Sequence, residues 1–222
     1  MSIPGTTVVL GYCDLAAAGA RLLHHIYVQD AALLESSLTV LGLTVAIRTY
    51  AETSVSFVVV CDPVPDALCT AFAAELTDLL VGKRVVLLTA PNVPLPSADE
   101  RFVFWTQFHA TAPLSGLSSA LFHPIPLAKW TLKDAFLCAC LHFFQVEALP
   151  LTVLLVRGYK YTGRVADGSA EAIATLGEAL PLVLQALGMS TSFEVDAKSA
   201  SVMKMLSMHQ AAHGGESSVL YN

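Results

Sequence analysis

The sequence predicts an α/β protein, a mainly parallel sheet covered by helices on both faces. Three observations point to it. Strand-like runs alternate along the chain with segments of helical periodicity. Residues 55 to 89 read as one strand–helix–strand unit, the building block of parallel sheets. Leu132 to Glu147 is a helix apolar on nearly all sides, which predicts burial on both of its faces.

The elements follow in order. Thr6 to Leu10 is β-rich and runs into Gly11, read as a first strand and its turn. Asp14 is placed to cap the next helix, where Leu15, Ala18, Leu22, His25 and Ile26 recur at helical spacing. Leu43 to Arg48 and Val55 to Cys61 are further strands, the second broken by Asp62-Pro63-Val64-Pro65. Leu68, Phe72, Leu76, Leu79 and Leu80 form the stripe of an amphipathic helix that Gly82 ends, and Arg84 to Thr89 is a short strand. Ala90 to Trp130 holds six of the eleven prolines and one β stretch, Phe102 to Phe108, and reads as an irregular excursion with an inserted strand. After the apolar helix, Pro150 introduces a strand from Leu151 to Val156. Ser169 caps a helix reaching about Leu187, kinked or restarted at Pro181 and closed by Gly188. Asp196 to Gln210 is a last helix, with Val202, Met203, Leu206 and Met208 as its apolar side. Residues 1–210 read as one domain and 211–222 as a flexible tail.

Composition narrows the function. The chain has 222 residues, 55% of them hydrophobic and 14% charged, against roughly 25% charged in soluble domains generally. So few charges cannot cover the outside evenly, which predicts apolar surface shared with a partner. The net charge is −6, with no Lys/Arg cluster, so nucleic acid is not an expected partner. The strongest apolar run, Ala135 to Leu141 extended by Phe143 and Phe144, is shorter than the roughly 20 residues that cross a membrane. The N-terminus has no basic residue before Arg21 and does not read as a signal peptide. Cys13, Cys61, Cys69, Cys138 and Cys140 are odd in number, and three stand in apolar runs, which predicts reduced, buried thiols and a cytosolic or nuclear setting.

No dinucleotide, P-loop, nucleophile-elbow or zincin motif occurs, so no catalytic residue and no cofactor or metal is expected. His209 and His213 have a zinc-compatible i, i+4 spacing but no third ligand, and read as solvated. Cys138 and His142 share that spacing inside the apolar helix and read as packed core. Asp14 and Asp62 follow strands, where α/β enzymes keep catalytic groups, but turn and cap roles account for them at lower cost. Arg157, Tyr159, Lys160 and Tyr161 follow a strand and concentrate positive charge with aromatics, a possible protein-contact loop.

The chain's end carries the clearest chemistry. Ala211 to Ser218 is small, polar and Gly-containing, which is linker composition. Val219 and Leu220 then lead to Tyr221 and the carboxylate of Asn222. An apolar anchor, a ring with a hydroxyl and a terminal charge on a leash suit insertion into a pocket of another protein.

Together Val8-Val9-Leu10-Gly11, the apolar helix followed by Ala148-Leu149-Pro150 and a strand, and the Leu220-Tyr221-Asn222 ending resemble the proteasome assembly chaperone 1 family. Those eukaryotic proteins help build the α-ring of the 20S proteasome. The likeness is clearest from about Phe102 onward. It implies a three-layer αβα sandwich of the phosphorylase/hydrolase kind without catalysis. It also implies a heterodimer with proteasome assembly chaperone 2, docked on 20S α subunits, with the hydrophobic-Tyr-any tail in a pocket between them. A lysine there would meet the Asn222 carboxylate, Tyr221 would pack at the pocket mouth and Leu220 would fill the apolar wall. Two other readings remain at this stage: an enzyme of phosphorylase or hydrolase type on the same fold, and a scaffold binding another partner through residues 90–130.

Overall fold

The computed structural model describes residues 2–51, 53–91, 102–110, 113–125, 131–158 and 169–202. Its first elements are β1 (Thr7–Tyr12), α1 (Ala18–His24), β2 (Ile26–Tyr27) and the hairpin β3 (Leu33–Val40) and β4 (Leu43–Tyr50). β5 (Val55–Val60), α2 (Cys69–Leu80) and β6 (Arg84–Thr89) follow, then β7 (Val103–Phe108) and β8 (Phe122–Pro124). The described chain closes with α3 (Ala135–Val146), β9 (Leu151–Leu155), α4 (Ser169–Ala186), β10 (Glu194–Val195) and α5 (Ala197–Val202).

Eight strands form one sheet in the order β3-β4-β5-β1-β6-β9-β7-β8. The central four, β5, β1, β6 and β9, are mutually parallel. All six residues of β1, all six of β5 and all five of β9 are buried, as strands sandwiched between two helix layers must be. α2 and α3 cover one face, where Leu10, Val58, Phe72, Leu76, Leu137 and Phe144 meet. α1, α4 and α5 cover the other, over Val9, Phe57, Leu88 and Leu154. The predicted three-layer arrangement is the observed one.

Three features depart from the sequence reading. Gly11 is not a turn but lies inside β1, paired with Val59 on one side and Leu88 on the other. A Cβ there would stand 2.6 Å from the carbonyl carbon of Gly19, and one on Gly19 would stand 2.8 Å from Leu88 O. The two glycines let the α1 backbone lie directly on the sheet. Second, α3 is not buried on both faces. Phe136, Leu137, Cys140 and Phe144 point inward, whereas Cys138, His142 and Gln145 are exposed and Val146 is 65% exposed. Cys138 and His142 are therefore surface residues, not packed core. The helix lies in an outer layer, so its high overall hydropathy leaves apolar surface on the molecule's outside. Third, the hairpin strand β3 had no signature of its own. Five consecutive residues, Leu33 to Ser37, are exposed on both faces, so it lacks the alternation that marks a half-buried strand.

The β3–β4 turn uses Leu41 and Gly42, both left-handed at φ 48 and φ 84. Two left-handed residues match the twist of a hairpin, but for leucine the conformation costs roughly 1 kcal/mol. α4 runs through Pro181 as one helix. It closes as expected, with Gly188 at φ 84 and Met189 N donating to Leu184 O at 3.0 Å.

Candidate functional site

The carboxyl ends of parallel strands are where an α/β sheet keeps its functional groups. Here β1 ends on Tyr12, β6 on Thr89, the loop after β1 supplies Asp14, and Asp134 opens α3. They form one linear hydrogen-bonded chain. Thr89 Oγ1 lies 3.1 Å from Asp14 Oδ2 and 2.9 Å from Tyr12 Oη, and Tyr12 Oη lies 2.9 Å from Asp134 Oδ2. Asp14 also accepts from the main-chain N–H of Ala16 at 3.2 Å and of Ala90. Its carboxyl therefore ties β1 to β6 and does not cap α1. The residue before that helix is Ala17, left-handed at φ 49 and without a side-chain cap.

Counting hydrogens defines the chemistry of this chain. Its three oxygen–oxygen contacts need three hydrogens, and the hydroxyls of Thr89 and Tyr12 supply two. When both carboxyls are ionised, the two hydroxyls donate outward and the Tyr12–Thr89 contact is left without a hydrogen. Thr89 donates to Asp14 Oδ2 when the carboxyl is ionised; a proton on Asp14 reverses that contact and completes the series, with Asp14 donating to Thr89, Thr89 to Tyr12 and Tyr12 to Asp134. Electrostatics run the same way. Burial, and then the Asp134 charge, push Asp14 up to about 6, although its three hydrogen-bond partners pull the other way. Burial, followed by the charges of Asp14 and Asp134, pushes Tyr12 well above the ordinary phenol range. Burial likewise lifts Cys13 to about 12, with Asp14 adding to it. A thiol this reluctant to ionise is not a nucleophile at neutral pH.

Asp134 also holds α3. Its Oδ1 accepts from Leu137 N at 2.8 Å, an N-cap that satisfies one free donor of the first turn. Asp134→Ala is expected to cost about 2 kcal/mol, because the cap and the acceptor of the buried Tyr12 hydroxyl are lost together. Urea denaturation of the two proteins measures it, and Asp134→Asn, which can still cap, should recover part of the loss.

The other sequence candidates scatter. Asp62 accepts from Thr44 N at 3.2 Å and serves the turn. Cys69 and Cys140 are buried, Cys13 and Cys61 partly so, and Cys138 is exposed; all five are free thiols. Among the described residues no three His, Cys, Asp or Glu side chains converge as a metal site, and no helix is long and apolar enough to cross a membrane. An open groove of about 870 Å³ runs past His24, Tyr27, Leu33, Arg48 and Tyr50. Arg48 and Lys198 both line it, and Arg48 is engaged within the protein, binding Glu35 at 2.8 Å and Leu23 O at 2.7 Å. Burial first, and then Arg48, lowers the His24 pKa, so that ring is neutral at pH 7.

Arg157 is half-buried, and Gly158 N bonds Pro91 O at 2.9 Å. Tyr159, Lys160 and Tyr161, the rest of the expected contact loop, lie outside the described residues. So do His209, His213 and the tail residues Val219, Leu220, Tyr221 and Asn222. The last described helix, α5, is tied into the body of the protein. Asp196 caps α5 through Ser199 N at 3.0 Å, and the buried Arg21 of α1 donates to Ala200 O at 3.0 Å and to Ser201 O. These bonds pair the buried guanidinium with main-chain carbonyls. Arg21 carried no sequence signal, because its partners lie about 180 residues away.

With this geometry in place the molecule can be compared with others. No family model matches the chain, and no curated protein does so significantly. Solved structures do. A protein of unknown function from Thermoplasma acidophilum superposes with a TM-score of 0.56 at 15% identity, covering 94% of this chain and 84% of that one. The shared feature is the fold. A protein of unknown function from Corynebacterium glutamicum matches at a TM-score of 0.50 and 12% identity, over 96% of this chain and 86% of that one. PbaA from Pyrococcus furiosus, an archaeal homolog of proteasome-assembly chaperone, superposes with a TM-score of 0.46 at 14% identity, over 96% of this chain and 90% of its own.

Proposed function

We propose that this chain is a non-enzymatic chaperone of proteasome assembly. It acts as a heterodimer with proteasome assembly chaperone 2, binds 20S α subunits, and works in the cytosol or the nucleus. One observation carries the reading: Leu220-Tyr221-Asn222, a hydrophobic-Tyr-any segment, stands behind a small, Gly-containing spacer. A tip of three residues buries little area and must be ordered on binding, so by itself it binds weakly. Rooted on a docked body it acts at high effective concentration. Arg21 holds Ala200 and Ser201 of α5, the last described helix, to the body of the protein. Contacts that are weak singly and strong together suit a protein that must hold an assembly intermediate and then release it.

The chemistry at the strand ends supports a binding role over a catalytic one. The oxygens of Asp14 are engaged with Thr89, Ala16 and Ala90, and neither the groove past His24 nor a second cleft near Arg84 is lined by the Asp14 chain. The apolar outer side of α3 is the kind of surface a permanent partner covers.

Tyr221→Ala, or one extra residue after Asn222, is expected to lower capture of α subunits about tenfold or more by removing the ring or displacing the carboxylate. The fold and the heterodimer should remain intact. Pull-down of α subunits with wild-type and variant heterodimers is the measurement, and equal recovery would refute the reading.

A further inference from the structure

β3 ends the strand order on its side, and no described residue pairs with its outer edge. The hairpin register identifies the groups that face outward. Ala51 N donates to Ala32 O at 2.9 Å, and Leu34 pairs with Thr49, Ser36 with Ile47 and Leu38 with Val45. Even-numbered residues therefore turn their N–H and C=O groups toward β4. Leu33, Glu35, Ser37 and Thr39 turn theirs away from the sheet.

Sheets usually blunt such an edge with lysine, proline, a bulge or a covering segment. β3 has none of the first three. Its register is unbroken over all eight residues. Its single charge, Glu35, is held by Arg48 at 2.8 Å. Leu34 is 62% exposed, and the neighbouring turn places Leu41, 46% exposed, in a left-handed conformation that suits Asn or Gly better. Local preference and fold disagree at this one end of the sheet, a pattern found where a surface serves contact.

We propose that β3 pairs antiparallel with β3 of a second copy of this chain, about a two-fold axis through Ser36, so that two sheets become one. The occupant follows from the strand's own sequence. A two-fold perpendicular to the sheet sets residues of the same face opposite one another. About Ser36 this places Ser36 on Ser36, Leu34 on Leu38, Glu35 on Ser37 and Leu33 on Thr39. Each exposed Leu34 gains an apolar partner on either side of the axis, and no like charges meet. The outward-facing residues pair with one another, so their main-chain groups are satisfied reciprocally. The inference uses the sheet edge alone and stands or falls separately from the proposed function.

Sedimentation equilibrium of the full chain, from micromolar to hundreds of micromolar, tests it. The wild type is expected to show a monomer–dimer equilibrium. Ser37→Pro removes an outward N–H and leaves the β3–β4 ladder intact, and is expected to weaken dimerisation by about tenfold or more. A second experiment reads the register without depending on that variant's folding. Ser36 meets its own copy as a non-hydrogen-bonded pair, whose Cα atoms lie about 4.5 Å apart and within disulfide reach. In a Cys138→Ser background, which removes the exposed native thiol, Ser36→Cys should form an intermolecular disulfide on mild oxidation and Thr39→Cys should not. A wild type that stays monomeric at every concentration overturns the proposal. So does a dimer that cross-links equally at both positions, or that Ser37→Pro, shown folded by circular dichroism, leaves unchanged.

Discussion

Gly11→Ala is expected to destabilise the protein by about 3 kcal/mol, a large effect for a single methyl group. The added Cβ would meet Gly19 C at 2.6 Å, Gly19 O at 2.7 Å and Ala20 N at 2.8 Å. All three are main-chain atoms of α1, so no flexible side chain can swing aside, and the helix itself must move. It has little room to do so. Ala18, Gly19, Ala20, Arg21, Leu22 and Leu23 are all buried, and the helix is held from its far side by α4 and α5. Moving it also disturbs the Arg21 bonds to Ala200 and Ser201 that fix the end of α5. The lower backbone entropy of alanine in the unfolded chain offsets only about 0.5–1 kcal/mol of this. Urea denaturation gives the measurement: a lower midpoint at an unchanged slope is expected. Gly42→Ala is a useful contrast, because a Cβ there meets nothing within 4 Å. Its cost should come only from the left-handed backbone, about 1 kcal/mol. A Gly11→Ala loss no larger than that would show that the close approach of α1 to the sheet is not tight.

The fold was legible where one segment determines its own environment. The strands at Val55–Val60 and Leu151–Leu155 and the helix Cys69–Leu80 were readable because their composition or apolar spacing is set by the layers that bury them. Ends with local chemistry were also readable: Gly188 closes α4 as expected. Features that depend on distant residues were not. Gly11 looked like a turn because its reason, Gly19 and Leu88, belongs to tertiary packing. β3 lacked alternation because both of its faces are exposed, so nothing imposed a period on it. α3 looked wholly buried because apolar residues also occupy its outward side, and hydropathy cannot tell a covered face from an exposed one. At the strand ends, Asp14 was noticed, but the residues that give it meaning, Thr89 and Asp134, lie 75 and 120 positions further along. Only Asp134 carried a local hint, as an aspartate directly before an apolar helical run. The tail residues Leu220-Tyr221-Asn222 were legible for the opposite reason. Their chemistry lies in three consecutive side chains and needs no fold to assemble it.

The Asp14 chain leads to the second large effect, a fall in stability as pH rises. The carboxyl of Asp14 is raised from 3.8 to about 6 on folding, chiefly by burial. Below pH 4 it is protonated in both folded and unfolded protein, and the Asp14–Thr89–Tyr12–Asp134 series has all its hydrogens. Between pH 4 and 6 the unfolded chain releases this proton while the folded one retains it. The folded state then binds more protons, so its stability declines with increasing pH. Above about 6 both states are ionised and the loss is complete. At about 1.4 kcal/mol per pH unit, the gap is worth on the order of 3 kcal/mol. The effect is isolated by difference. Asp14→Asn cannot ionise and should lack this slope, whatever constant offset its altered hydrogen bonding brings. Denaturation midpoints of both proteins from pH 4 to 7 should therefore diverge, the wild type losing stability relative to the variant as pH rises. The groups around the carboxyl do not mask this. Tyr12 and Cys13 are both held neutral well above the range. Parallel pH profiles for wild type and Asp14→Asn would mean that Asp14 is ionised throughout and that its three donors outweigh burial.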